Sequence, residues 1–169
     1  MKKQHFKAQA LVEFALILPI ALFIMLGFLD LGRAIFNYAT ISNMVREGAR
    51  FAISDSTVAA GSGVDLPYQN TIAHINKFAF SIPEVSTTPS IITCFTTQTT
   101  GQNATCTFPG ENIQVDITRI WNGKFYENVQ VEATFAFKPV TPFIARLLGN
   151  ASTIDLVAQS TMRLSGSAR

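Results

Sequence analysis

The feature that most constrains this chain is an uncharged apolar run near its N-terminus. Phe14–Leu29 contains no charged residue, and the run continues back to Ala8 with Gln9 and Glu13 as its only strongly polar members. A helix rises about 1.5 Å per residue, so about 22 residues of this kind cross a bilayer core of about 30 Å. The sequence therefore predicts a transmembrane helix over residues 9–30.

Basic residues orient this segment. Lys2, Lys3 and Lys7 precede it, with no acidic residue before Glu13. Because basic flanks stay on the cytoplasmic side, we expect a single-pass protein of the cytoplasmic membrane with its C-terminal part outside. A secretory signal peptide begins in the same way, but its apolar run is about 7–15 residues long and ends at a small-x-small cleavage site. That alternative fits less well, because Asp30-Leu31-Gly32-Arg33 follows the run.

Glu13 is the unusual residue of the run. A charged side chain at the centre of a bilayer costs about 2.5–3.5 kcal/mol on insertion scales, so an acid in a transmembrane segment indicates a function. A partner of opposite charge would offset that cost, because an unpaired buried charge is strongly disfavoured. The alternative is that Glu13 lies at the interface, where lipid headgroups and water solvate it.

These residues carry a family resemblance. Ala8-Gln9-Ala10-Leu11-Val12-Glu13-Phe14, after a short basic leader, resembles the N-terminus of TadE-like pseudopilins. They are minor pilin-like proteins of tight-adherence (Tad or Flp) type IV pilus systems. The resemblance continues through Asp30-Leu31-Gly32-Arg33 and Arg46-Glu47-Gly48-Ala49-Arg50 and becomes loose beyond residue 54.

The resemblance implies a processing site and an assembly site. A prepilin peptidase would cut between Ala8 and Gln9 and remove the leader, residues 1–8. Ala8 departs from the family pattern, because most type IV prepilins have Gly there. Glu13 would become the fifth residue of the mature chain and Phe14 the sixth. The free amine of a processed Gln9, or that of a neighbouring subunit, could then pair with Glu13.

The implied partners follow from the same resemblance. They are other pilin or pilin-like subunits bound through the N-terminal helix, the prepilin peptidase, the inner-membrane pilus assembly platform and the lipid bilayer. The sequence has no basic stripe that would indicate nucleic acid, since 13 Lys and Arg residues are nearly balanced by 11 Asp and Glu residues.

Beyond the membrane, the pattern predicts that the helix continues as an amphipathic extension over residues 31–55. Pro19 removes one helical hydrogen bond, so we expect a kink or a short unwound stretch there. The remaining faces carry polar residues, among them Asn37. The apolar stripe recurs at three- and four-residue steps and comprises Leu31, Ala34, Ile35, Tyr38, Ile41, Val45, Ala49 and Ala52.

The rest of the chain predicts a small α+β head with an antiparallel sheet over residues 64–169. A helix is expected over Tyr68–Phe80, and a second, short helix over Thr141–Leu148. Asn122-Gly123 favours a two-residue hairpin turn. The strands are expected at Ser90–Thr97, Ala104–Phe108, Asn112–Trp121, Phe125–Phe137 and Thr153–Leu164.

Cys94 and Cys106 are the two cysteines of the chain. In an exported protein a pair of cysteines is most simply a disulfide. A free buried pair is the alternative, whereas a metal site would need more ligands than this segment offers.

Catalytic chemistry finds little support in the sequence. We expect no enzyme, cofactor or metal site, because there is no His-Glu-x-x-His, Cys-x-x-Cys or phosphate-binding Gly-rich loop with Lys. His74 is expected on the polar side of its helix. Two functions of different classes remain: a pilin-like assembly protein, and an uncleaved membrane-anchored binding or adhesion module whose helix only tethers the head.

Overall fold

The fold consists of one long helix, one short helix and one antiparallel sheet. The computed structural model describes residues 5–54, 68–87, 93–94, 103–121, 126–141 and 153–163. The elements are α1 (His5–Ala52), α2 (Gln69–Asn76), β1 (Thr93–Cys94), β2 (Ala104–Pro109), β3 (Ile113–Trp121), β4 (Tyr126–Phe137) and β5 (Ile154–Arg163). The predicted α+β class, with a long apolar N-terminal helix followed by a small sheet, is confirmed.

The chain divides into two compact units. The first comprises Met1–Ile35 and Lys138–Thr153, and the second comprises Phe36–Phe137 and Ile154–Arg169. Helix α1 contributes residues to both units. The last turns of α1 therefore cluster with the sheet, and the segment between β4 and β5 clusters with the first part of α1.

The sheet is a meander in which each strand pairs with the next one along the chain. Its order is β1-β2-β3-β4-β5, and every pairing is antiparallel. Alternate residues of β4 are buried, from Val129 to Phe137, while Gln130, Glu132 and Thr134 between them are half-buried on the opposite face. This alternation is what a sheet with one core face requires, and it matches the prediction.

The predicted strands agree with the observed ones, and no end of β2, β3, β4 or β5 differs by more than one residue. Strand β1 is shorter, with Thr93–Cys94 paired and the flanking residues of the predicted strand outside the described part of the chain. Strands β3 and β4 form a hairpin as predicted, but Trp121 lies opposite Tyr126, so that four residues and not the predicted two separate the paired ends. The turn between them and the predicted helix after Thr141 also lie outside the described residues.

The core of the second unit lies between the sheet and two helical segments. Its fully buried side chains include Phe108, Val115 and Ile117 of the sheet and Ile72 and Ile75 of α2. Helix α1 contributes Ile41, Met44, Val45, Gly48, Ala49 and Ala52.

The buried face of α1 differs from the predicted stripe. Leu31, Ile35 and Tyr38 are exposed, whereas Asn37, which was assigned to a polar face, is buried. Asn37 lies one turn before Ile41 and therefore shares its face. Its Oδ1 accepts a hydrogen bond from Ser81 Oγ at 3.4 Å, which reduces the cost of burying the amide. The periodicity found the helix but placed its core-facing side incorrectly between residues 31 and 38.

Helix α2 is shorter than predicted. Tyr68 has a left-handed φ of 72° and stands before the helix, which ends at Asn76. The Asn76 side chain then binds the backbone of Val85 twice: Val85 N–H donates to Oδ1 at 3.0 Å, and Nδ2 donates to the Val85 carbonyl at 2.9 Å. This bridge orders the segment after α2, which returns to the β2–β3 turn through pairing of Val85 with Gly110.

His74 is also placed differently from the prediction. It is half-buried, and its ring stacks on Phe51 of α1 with 4.5 Å between the ring centroids. The centroid of the tilted Phe78 ring lies 5.3 Å from the centroid of the His74 ring. His74 therefore helps to pack α2 against α1.

Gly48 provides the closest approach of α1 to its neighbours. A Cβ at this position would lie 2.5 Å from Ile75 Cδ1, 2.7 Å from Ile75 Cγ1 and 3.6 Å from Val131 Cγ1. Ile75 is itself fully buried and has no free space to move into. Gly48 is therefore required by packing, although glycine weakens a helix.

We predict that Gly48→Ala destabilises the head. Overpacking costs about 1–3 kcal/mol, and the better helix propensity of Ala returns about 1 kcal/mol, so the net loss should reach about 2 kcal/mol. Thermal unfolding of the full-length protein in detergent measures this loss. Gly32→Ala is the matched control, because a Cβ there meets no described atom within 4 Å.

A second substitution tests the cause of that loss. Ile75→Val removes the Cδ1 atom that the new methyl group would meet, so it should recover part of the stability that Gly48→Ala loses. A double-mutant cycle with no coupling between the two positions would contradict the packing explanation.

Candidate functional site

The first part of α1 presents an apolar surface that its own chain does not cover. Every residue from Gln9 to Leu26 is exposed, including Leu11, Phe14 and Phe23. The most apolar window of Gln9–Ala52 has a mean hydropathy of 2.5 and no buried residue. Helix α1 is thus long and apolar enough to cross a membrane, a property that a signal sequence shares. A helix that packs in a soluble core buries its apolar side, and this segment does not.

Helix α1 is continuous through the predicted processing and assembly residues. Ala8 and Gln9 are helical, since α1 begins at His5. Glu13 and Phe14 are exposed on the same helix. Glu13 is four positions after Gln9 in the sequence, which places the two on one side of the helix, one turn apart.

Pro19 does not interrupt α1. The helix is assigned without a break from His5 to Ala52 with Pro19 inside it. The predicted unwound stretch is therefore absent from this described segment. The proline lacks the N–H that would bond to the Ala15 carbonyl, and the helix tolerates the loss.

Asp30 forms the most highly bonded polar site of the first unit. It is buried and directly follows the uncharged run. The backbone N–H groups of Val140 and Thr141 donate to its Oδ1 at 3.0 Å and its Oδ2 at 2.8 Å. The Thr141 hydroxyl donates to Oδ2 at 2.6 Å. Three donors therefore satisfy one carboxylate.

Arg33 completes this site from the next helical turn. Its guanidinium Nη1 lies 3.6 Å from Asp30 Oδ1, and the Arg33 side chain is 54% exposed while Asp30 is 4% exposed. At this distance the contact is an ion pair and not a hydrogen bond, and water screens its exposed guanidinium. We call Asp30, Arg33, Val140 and Thr141 the Asp30 site. It joins two segments of the first unit that are more than a hundred residues apart in sequence.

Sequence reasoning missed the function of Asp30. The residue was noted only as part of a short motif after the apolar run. The available signal was a carboxylate at the first position after sixteen uncharged residues, Phe14–Leu29. Nothing in the sequence indicated Thr141 as its partner.

The sheet brings the two cysteines into register. Cys94 of β1 lies directly opposite Cys106 of β2, and Cys106 is buried. Residues opposite each other in antiparallel strands have Cα atoms about 4.5–5.5 Å apart, a separation that a disulfide can bridge. The bridge itself stays a prediction, which this register supports.

The sheet carries acidic residues on neighbouring strands. Asp116 of β3 lies opposite Glu132 of β4, and Gln114 Nε2 donates to Asp116 Oδ2 at 2.9 Å. Within the described ranges, no group of three or more His, Cys, Asp or Glu side chains could hold a metal ion. The expectation that the chain is not an enzyme remains an expectation.

An exposed apolar helix followed by a small antiparallel sheet is the arrangement of a membrane anchor with a C-terminal head. The sequence model of the TadE-like protein family matches residues 8–50. The match starts at the predicted cleavage residue Ala8 and stops two residues before α1 ends at Ala52. The predicted resemblance to TadE-like proteins is therefore confirmed over this segment, which is about a quarter of the chain. No curated protein and no solved structure matches the chain.

We predict that the Asp30 site holds the segment around Val140 and Thr141 in place. Asp30→Asn keeps the size but puts an amide N–H₂ where an oxygen accepts hydrogen bonds, so buried donors lose their partner at a cost of about 1–3 kcal/mol. Hydrogen exchange of the full-length protein should show loss of protection at the Val140 and Thr141 amides. Protection of Val131 in β4 should be unchanged.

Two variants of Thr141 refine this test. Thr141→Ser keeps the hydroxyl that donates to Asp30, whereas Thr141→Val keeps the shape and removes the hydroxyl. We expect faster exchange at residue 141 in the valine variant than in the serine variant. Equal exchange in both variants would mean that the hydroxyl adds nothing to the site.

We predict a Cys94–Cys106 disulfide in the exported protein. It should stabilise the folded head by about 2–4 kcal/mol through restriction of the unfolded chain. Peptide mapping without reductant, on protein from its native host, should recover the two cysteines in one linked species. Two free thiols in that protein would contradict the prediction.

Proposed function

We propose that this chain is a minor pilin or pseudopilin that takes part in assembly of a Tad/Flp type IV pilus, which serves adhesion or secretion. It is inserted in the cytoplasmic membrane with the head outside, processed between Ala8 and Gln9, and incorporated through its N-terminal helix. One observation carries this proposal: the residues that match the TadE-like family include the segment that the fold leaves uncovered.

The uncovered segment needs another environment. Burial of a large apolar side chain is favourable by about 1.5–3 kcal/mol, so a helix with Leu11, Phe14, Phe23 and Phe28 all exposed would be strongly disfavoured in water. Lipid or the helices of other subunits can cover such a surface. A pilin-like protein uses both in turn, lipid before assembly and neighbouring helices after it.

Glu13 is the residue of this segment that can form an ion pair with another subunit. In lipid a carboxylate needs a partner of opposite charge. Processing before Gln9 would create a free amine one helical turn from Glu13. In a bundle of such helices the amine of one subunit can reach the Glu13 of another, which sets the relative height of the two subunits.

Exposed apolar residues beyond the membrane segment support subunit packing. Leu31 is 55% exposed and Ile35 is 60% exposed, and both follow the uncharged run on α1. Apolar patches outside a membrane mark interaction surfaces. These residues extend the same helix surface toward other subunits.

A second candidate function has one observation in its favour. Strand β5 has ten residues and pairs with β4 along one edge, and sheet edges of this length can accept a strand from another protein. The alternative is therefore an uncleaved membrane-anchored module in which the head binds a partner and α1 only tethers it.

Glu13→Gln tests the assembly proposal. The substitution keeps size and helix propensity but removes the charge, so insertion and head folding should be retained while recovery with pilus components falls. Glu47→Gln is the matched control, since Glu47 is on the same helix and pairs with Arg50 at 3.3 Å in an exposed site. Co-purification with the other pilus subunits, at equal membrane levels, measures the effect.

Mass spectrometry of the membrane-extracted chain accompanies this experiment. A mature start at Gln9 together with loss of assembly in Glu13→Gln is the expected result. Normal piliation by Glu13→Gln would overturn the pairing mechanism. An intact leader, with an unaffected head–partner interaction, would favour the anchored binding module instead.

A further inference from the structure

The Asp30 site fixes a loop segment next to the end of the uncharged run. Asp30 is the first residue after Leu29. The Val140 and Thr141 backbone N–H groups both bond to its carboxylate. If α1 spans a bilayer, as the proposed function requires, residues 140 and 141 lie at the depth of Asp30. This depth is the boundary between lipid and water on the external side of the cytoplasmic membrane.

Val140 is an exposed apolar residue at that position. It is 68% exposed, while its neighbours Pro139 and Thr141 are buried. The backbone at Val140 is held by Asp30, but its side chain is left uncovered. A single exposed valine needs no explanation by itself, but Val140 is held beside the end of the uncharged run.

The sequence around Val140 has the composition of an interfacial segment. Residues 142–148 read Pro-Phe-Ile-Ala-Arg-Leu-Leu, with one cation and no acid. Lys138 precedes Val140 and is exposed. Apolar residues combined with Lys or Arg are typical of segments that lie in the interface plane, where the apolar side chains enter the headgroup and acyl boundary by about 5–10 Å.

We propose that the segment Lys138–Thr141 is a second membrane contact, in which Val140 inserts into the interfacial layer of the bilayer that surrounds α1. Its partner is the lipid surface, and Lys138 is positioned to meet acidic headgroups. The surface is continuous with the membrane-spanning helix through the hydrogen bonds to Asp30. This inference rests on the membrane anchoring in the proposed function.

Depth-dependent fluorescence quenching tests the contact. The full-length chain is reconstituted in vesicles of phosphatidylcholine and phosphatidylglycerol whose acyl chains are brominated near the headgroup. Val140→Trp adds a reporter to a chain with a single native tryptophan, Trp121, and the signal of the parent chain is subtracted. Val157→Trp is the matched control, because Val157 is an exposed apolar residue of β5 in the second unit.

We expect stronger quenching of Val140→Trp than of Val157→Trp, by about twofold or more for a side chain in the interfacial layer. Adding Asp30→Asn should reduce the quenching at position 140, and adding Glu47→Gln should not. Circular dichroism of each variant confirms that the fold is retained.

Resistance of the vesicle-bound protein to carbonate extraction tests the membrane anchoring by α1 separately from the contact at Val140. Carbonate-resistant protein with equal quenching at positions 140 and 157 overturns this inference and leaves the anchor in place. Loss of the protein from the vesicles overturns both. Excess lipid separates the copies of the chain within the bilayer. If position 140 is quenched only after this dilution, a second copy covers Val140 at higher protein density, and this result also overturns the inference.

Discussion

The structure depends on helix α1, in which residues 9–26 are exposed while the last turns are buried against the sheet and α2. In lipid every backbone N–H and C=O must be paired internally, which leaves a continuous helix as the form that residues 9–29 can take in a bilayer. The same element, α1, later supplies Ile41, Met44 and Ala49 to the core of the second unit. In a bilayer a break in the middle of α1 would leave polar backbone groups unpaired, so the continuity of the helix through Pro19 suits the membrane-spanning role that we propose.

The parts of the fold that the sequence predicted are those set by short-range patterns. Alternation along β4 is visible within a few residues, because one face of the sheet is buried. Asn122-Gly123 indicated the β3–β4 hairpin, and the pairing of the two strands is observed. The long apolar helix segment is likewise a local property of Phe14–Leu29. The TadE-like match over residues 8–50 confirms the resemblance that was based on the same segment.

The parts that the sequence did not predict depend on contacts between distant residues. Asp30 and Thr141 are 111 positions apart, and no periodicity links them. Asn37 was placed on a polar face, because a pattern cannot show that Ser81 supplies a donor to a buried amide. His74 was expected at the surface, and the stacking partner Phe51 is on another element. In each case a tertiary partner changes the cost of burying a polar group.

Two carboxylates mark the ends of the uncharged run, and they differ in a way that bears on function. Asp30 is buried and receives three hydrogen bonds within its own chain, so its acceptor capacity is largely used. Glu13 is exposed on the uncovered part of α1. A buried carboxylate is tolerated when hydrogen bonds and an ion pair offset its desolvation, and the chain supplies both at Asp30. Glu13 lies instead on the uncovered surface of α1, where we propose that the amine of a processed Gln9 or of a neighbouring subunit pairs with it, so that the start of the run serves assembly and Asp30 serves the structure.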